Sequence, residues 1–254
     1  MDFIKQHQAL TIPLISSIPG IAVWYPFYTH QLYTKASVLL DKKEKLSLKS
    51  LYKGIIPTVS FQLLFPFAFA SQQFIISILK KNNLYSKPAD YATSMTIGLG
   101  SAIIANPLVV FILKQQQGLA PLQIIKTTPI KNYYRGLVPF AMKGGCFFIA
   151  ISTLYPHLNE SFGVCGANGI QIKMLSAIIA SVLCNFAIIP LDLSSIMRQS
   201  ANYGAYSSAR CVREVWARRG IQGIFAGYRF KVVAVAIEIF IFNCLKDYFT
   251  QKFQ

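Results

Sequence analysis

Four side chains have a chemistry that their neighbours do not share. Asp192 lies in IIPLDLSSIMRQ (188–199), two residues after Pro190. Lys143 lies in AMKGGCFFIAIS (141–152), and Glu238 and Lys231 lie in the last apolar stretch of the chain. A charge in apolar surroundings is costly unless it is paired or wet, so each asks for a partner, a solvated face or an aqueous path. Asp192 reads either as a solvated acid at a helix end or as a lining residue of such a path. Lys143 either snorkels to the nearer interface or faces a wet cavity with an anionic ligand. Glu238 calls for Lys143 or a neighbouring Gln as partner, or else is protonated and hydrogen-bonded. None of this is catalytic chemistry. His7, His30 and His157 are scattered, and GxxxxGK[ST], HExxH and GxSxG are missing from the sequence. Cys146, Cys165, Cys184, Cys211 and Cys244 form no CxxC. The reading is a non-enzyme with no catalytic residue, no metal ligand set and no cofactor.

The elements that must hold these residues are apolar and long. Of the 254 residues, 54% are hydrophobic and 13% charged, against about 25% charged in a typical soluble domain. Segments around 9–34, 55–79, 91–113, 136–156, 170–197 and 231–249 can each cross a bilayer, which takes about 20 helical residues. Charge alternates between them. The connections 35–53, 114–135 and 198–231 carry 17 basic and 3 acidic residues, whereas the opposite face carries 7 Lys and 4 acids. That asymmetry orients six spans with both termini on the less basic side. A nucleic-acid binder would also be basic, but would not distribute its charge this way. With an acid at position 2 and no Arg-rich amphipathic start, no cleavable leader is expected.

Pro190 has counterparts at Pro26 and Pro107, spaced 81 and 83 residues apart. After each comes a basic connection and then an aromatic–basic–Gly signal at Gly54, Gly136 and Gly227. Ala209, Val212, Val215 and Trp216 have the spacing of a short surface helix in the last connection. Three units of about 80 to 90 residues form an internal repeat, with bounds near 9–81, 91–157 and 170–250.

With these motifs the chain resembles the mitochondrial carrier family, whose signature P-x-[DE]-x-x-[KR]-x-[KR]-x-Q ends each odd helix. Pro190, Asp192 and Gln199 match it, and RRGIQGIFAG fits the glycine pattern before the last helix. The resemblance implies an all-α membrane protein: six transmembrane helices in three pseudo-threefold repeats, closed as a barrel around a cavity. It implies a matrix gate at Pro26, Gln31, Pro107, Gln116, Pro190, Asp192 and Gln199. It implies solute contacts seven residues after each glycine and one turn around, at Phe61, Lys143, Gly144, Lys231 and Ala234. It also implies a monomer in the mitochondrial inner membrane, with termini in the intermembrane space.

The signature is eroded. The gate's acid positions read Tyr28, Val109 and Asp192, and its base positions read Gln31, Ile112 and Ser195, so no ion pair is expected at Asp192. On the other side, the acid positions read Phe74, Pro156 and Asp247. A weakened gate fits uniport or unidirectional transport. It also fits a carrier-like membrane adaptor or insertase without transport, for which the outer membrane is open. A small residue followed by an apolar one at the contact site resembles the adenine-nucleotide branch. With Lys143, that points to an anionic solute, ATP or ADP. Lys114, Arg135, Arg198, Arg229 and Lys231 read either as a funnel for a polyanion or as contacts to anionic lipid such as cardiolipin. No nucleic-acid partner is expected.

Overall fold

The computed structural model describes residues 8–40, 58–59, 62–116, 119–163, 169–199 and 206–253. Six long helices account for most of them. They are α1 Gln8–Leu40, α2 Phe65–Lys81, α3 Lys87–Gln116, α4 from Leu137, α5 Gly169–Gln199 and α6 Tyr228–Phe253. α4 runs Leu137–Ile149, passes through a π-helical turn at Ala150–Leu154 and continues as Tyr155–Gly163. Shorter helices at Pro121–Thr127 and Ser208–Ile224 lie in the connections before α4 and α6.

Local sequence explains the ends. Ser86 Oγ accepts the Ala89 amide at 3.3 Å ahead of α3, which has Asp90 in its first turn and Lys114 in its last. Both charges suit the helix dipole. Gly136 and Gly227 precede α4 and α6 in the left-handed region, at φ 75° and 76°, where a side chain is strained. Pro26, Pro107 and Pro190 lie inside α1, α3 and α5. There each removes a backbone donor.

Each long helix packs on its chain neighbours, and α6 returns to pack on α1, so the ring is closed. Two of its joints use the same relation. Gly136 meets the backbone of Ser195, five residues after Pro190, and Gly227 meets Gln31, five residues after Pro26. The equivalent glycine, Gly54, lies outside the described residues.

The polarity of this ring is that of a membrane protein. Ile104, Val138, Leu183 and Phe186 face outward with 57–69% exposure, while Gln62, Asn185, Asp192, Lys231 and Asn243 are buried. Among the described residues, Lys87–Gln115, Ile130–Gly163 and Gly169–Gln199 are long and apolar enough to cross a membrane unaided. Of the other three expected spans, α1 runs 33 residues with three prolines inside it. α2 has 17 residues, about 26 Å at 1.5 Å each. α6 carries Arg229, Lys231, Glu238, Lys246 and Asp247.

Inside the ring, Phe65, Phe69, Phe148 and Phe242 form an aromatic cluster joining α2, α4 and α6, with Phe69 to Phe148 at 5.0 Å and Phe69 to Phe242 at 4.9 Å. α3 and α4 approach so closely that a Cβ on Gly98 would lie 2.6 Å from Gly145 Cα and 2.7 Å from the Gly144 oxygen. Both obstacles are backbone, so the crossing must widen to admit a methyl. Gly98→Ala is therefore expected to cost about 1–3 kcal/mol, the usual range for overpacking. A thermal melt in detergent should show the midpoint fall by about 3–10 °C, at about 2–4 °C per kcal/mol for this size.

Candidate functional site

A cavity lies within the ring, bounded by all six long helices or their leading residues. Its lining follows the glycine count. Thr58, Phe140 and Lys231 stand four residues after Gly54, Gly136 and Gly227, and Lys143 and Ala234 stand seven after the latter two. Gln62, Gly144 and Val235 stand eight after, and Phe147 and Glu238 eleven after. The odd helices add Trp24, Tyr28, Val109, Ile112 and Ile188. The positions repeat from helix pair to helix pair, whereas their chemistry does not. α3 supplies only apolar side chains, and charge comes from Lys143 on α4 and from Lys231 and Glu238 on α6.

Lys143, Gly144, Lys231 and Ala234 thus lie in one cavity, as the sequence suggested. Phe61 lies outside the described residues. Lys143 does not snorkel. Its side chain is 14% exposed, and Nζ donates to Asp192 Oδ1 at 2.7 Å. Asp192, 1% exposed, also accepts from Gln31 Nε2 at 3.2 Å. The expectation that no ion pair survives at Asp192 is corrected by this contact. The sequence comparison looked for a base on the neighbouring odd helix, and the partner is a lysine from even helix α4. Ser195, at the base position three residues on, has its hydroxyl 3.5 Å from the Gly136 oxygen.

Glu238 is served by Gln62 Nε2 at 2.9 Å. Of the two partners proposed for it, the glutamine is the one found, because Lys143 is engaged by Asp192. Lys231 is 8% exposed, with its ammonium 4.6 Å from the centre of the Tyr28 ring, a favourable cation–π placement.

Below this layer Gln199 Nε2 reaches Asn106 Oδ1 at 3.4 Å and Ser195 Oγ at 3.5 Å, and Asn106 donates to the Tyr133 oxygen at 2.5 Å. Gln199 therefore bridges α5 to α3. The side chain of Gln116 lies outside the described residues. Toward the other end, Asp247 pairs with Lys173 at 2.6 Å, tying α6 to α5, and Phe74 points outward at 65% exposure. Sequence reasoning missed Gln62, Lys173 and the phenylalanine cluster. The recurrence of Phe eleven residues after both Gly54 and Gly136 was the available signal for the last.

Residues 167–254 match the family model of the mitochondrial carrier protein. That stretch holds α5, the surface helix Ser208–Ile224 and α6, which supply Asp192, Lys231, Ala234 and Glu238. The mitochondrial glycine transporter of Aspergillus terreus is 25% identical over 166 residues, 54% of this chain and 50% of its own length. The mitochondrial substrate carrier family protein ucpB of Dictyostelium discoideum is 22% identical over 217 residues, 76% of this chain and 72% of its own. The mitochondrial glycine transporter of Coccidioides immitis is 21% identical over 188 residues, 59% of this chain and 54% of its own. The chain thus spans about half the length of the two glycine transporters it matches.

Removing one partner of a buried ion pair costs about 3–5 kcal/mol because the other charge is stranded, whereas replacing both by apolar groups is often neutral. Asp192→Asn should therefore lower the melting temperature strongly, and the double change Asp192→Leu with Lys143→Met should restore most of it. If the single variant melts with the wild type, Lys143 and Asp192 are not paired in solution.

Proposed function

We propose that this chain is a carrier of the mitochondrial inner membrane that moves a small charged solute through the central cavity. Three repeats, 9–81, 91–157 and 170–250, act as one functional unit. The joints of Gly136 with Ser195 and of Gly227 with Gln31 support that division. The protein works as a monomer, with both termini in the intermembrane space, and its basic connections contact anionic lipid in the matrix leaflet. Phe61, Lys143, Gly144, Lys231 and Ala234 contact the solute. Pro26, Gln31, Pro107, Gln116, Pro190, Asp192 and Gln199 form the matrix gate.

The observation that carries the choice of solute is the charge balance of the cavity. Lys143, Lys231 and Glu238 line it, and Asp192, buried against Lys143, brings the acids to two. A site with equal numbers of both charges suits a zwitterion better than ATP or ADP, whose phosphates would meet two carboxylates. A small amino acid fits: its carboxylate replaces Asp192 as the partner of Lys143, and its ammonium takes the carboxylate released or that of Glu238. The names of two relatives point the same way. A nucleotide is the second solute considered, favoured by the basic residues Arg135, Arg198 and Arg229 around the cavity's matrix end.

Because the ring of odd helices still has Tyr28 and Gln31, and Val109 and Ile112, where ion pairs would lock a gate, net transport without exchange is expected. The same residues favour the adaptor or insertase reading if no solute moves. Proteoliposomes supplied with labelled glycine, ATP or ADP, with and without internal solute, decide among these. Glycine uptake into empty vesicles is expected. Lys143→Ala should lower it at least tenfold, since unit charges 4 Å apart at an effective dielectric of 20 interact by about 4 kcal/mol. Uptake of nucleotides alone would restore the anionic reading, and strict dependence on internal solute would exclude uniport. Transport of none of the three would favour the adaptor.

A further inference from the structure

Away from the cavity, where α2, α3 and α4 meet at the end of α3 remote from Pro107, a second polar site is buried. Asp90 stands in the first turn of α3, with its side chain 9% exposed. The protein groups around its carboxylate stand at the outer edge of hydrogen-bonding distance. Gln72 Nε2 is 3.4 Å and Thr153 Oγ1 3.5 Å from Oδ1, and His157 Nε2 is 3.7 Å from Oδ2. Hydroxyls crowd beside it: Ser94 Oγ is 2.6 Å from Thr153 Oγ1 and 3.1 Å from Ser152 Oγ. Ser94 and Thr153 are fully buried, and Gln72 is 1% exposed. Gln72 Oε1 has no hydrogen-bond partner, although its Nε2 bonds Ser94 Oγ at 2.8 Å.

The π turn Ala150–Leu154 brings the consecutive residues Ser152 and Thr153 to the same hydroxyl of Ser94. Such turns often mark functional sites. Ser152 spends its proton on the Phe148 oxygen, at 2.6 Å, so its own oxygen is left to accept.

We propose that this cluster binds one monovalent metal cation of about the size of sodium. Asp90 balances its charge, and the hydroxyls of Ser94, Ser152 and Thr153 and the amide oxygen of Gln72 complete an oxygen-only set, the donor type that hard cations take. One carboxylate neutralises one positive charge; a divalent ion here would leave a charge buried without compensation. The oxygens are separated by 2.6, 3.1 and 3.5 Å. An ion with ligands at about 2.4 Å needs octahedral edges of about 3.4 Å, which small rotations of the hydroxyl side chains provide. A half-turn of the Gln72 amide places its orphan oxygen where Nε2 now lies, turning an unsatisfied group into a ligand. His157, stacked on Tyr91 at 5.8 Å, stands behind Asp90. None of these residues lines the solute cavity, so the site stands independently of the solute assigned above.

The test is thermal melting of the purified chain in detergent, with sodium chloride replacing choline chloride at constant ionic strength. A saturable rise of about 3–6 °C is expected at sodium concentrations ten times Kd. Asp90→Asn should abolish it, and Ser152→Ala should raise the half-saturating sodium concentration several-fold. Potassium and magnesium arms report selectivity. A rise that does not saturate, or one that Asp90→Asn retains, overturns the proposal, as does a response to magnesium without one to sodium. Should Asp90→Asn fail to fold, Ser152→Ala and Thr153→Val decide: weakened sodium affinity supports the site, and unchanged affinity overturns it.

Discussion

The ion pair between Lys143 and Asp192 sets the terms for the rest of the interior. Two charges withdrawn from water are tolerated only when each satisfies the other and their remaining valences are filled. Gln31 supplies one such bond to Asp192. The pair therefore fixes three helices against one another: α4 through the lysine, α5 through the aspartate and α1 through the glutamine. With Lys143 committed, Glu238 must find its own donor, and it finds Gln62 on the strand of residues leading into α2 in helical conformation. Lys231 in turn lies over the ring of Tyr28. The cavity is thus a chain of local compensations with little net charge.

That balance changes what the eroded signature means. Where carriers are expected to lock odd helix to odd helix with ion pairs, this chain joins an odd helix to an even one, in the layer that also lines the cavity. Under the proposed function, a charged solute that drew Lys143 away from Asp192 would loosen that helix contact at the same step.

The fold was largely legible because its determinants are periodic. Proline spacing, glycine spacing and alternating loop charge each depend only on position along the chain, and the ring of six helices follows from them. Lys143, Gly144, Lys231 and Ala234 share one cavity, while the pairing of Lys143 was misread. Lys143 and Asp192 were both singled out, but a family pattern that pairs odd helices gave no reason to join them; the length of a lysine side chain does. A glutamine was expected for Glu238, but nothing in an apolar run singles out Gln62 until the carboxylate is seen opposite. The cluster at Asp90 was hidden for another reason. It depends on a π turn that shifts the register of α4 by one residue, and no periodic reading anticipates the two serine and threonine hydroxyls arriving side by side.

The closure of α6 onto α1 carries a consequence for biogenesis. A chain that emerges or is imported from its first residue onward has α1 with one flank bare until the last helix arrives. Through that interval Gln31 and Tyr28 wait for partners contributed by α5 and α6, and α1 carries three prolines that weaken it as an isolated helix. Assembly should therefore be late and all-or-none, with the early helices held by a chaperone or translocase rather than docked in sequence. A chain cut short before α6 would lose more than one span: it would present an open seam with buried polar groups facing lipid, the kind of defect that quality-control proteases recognise.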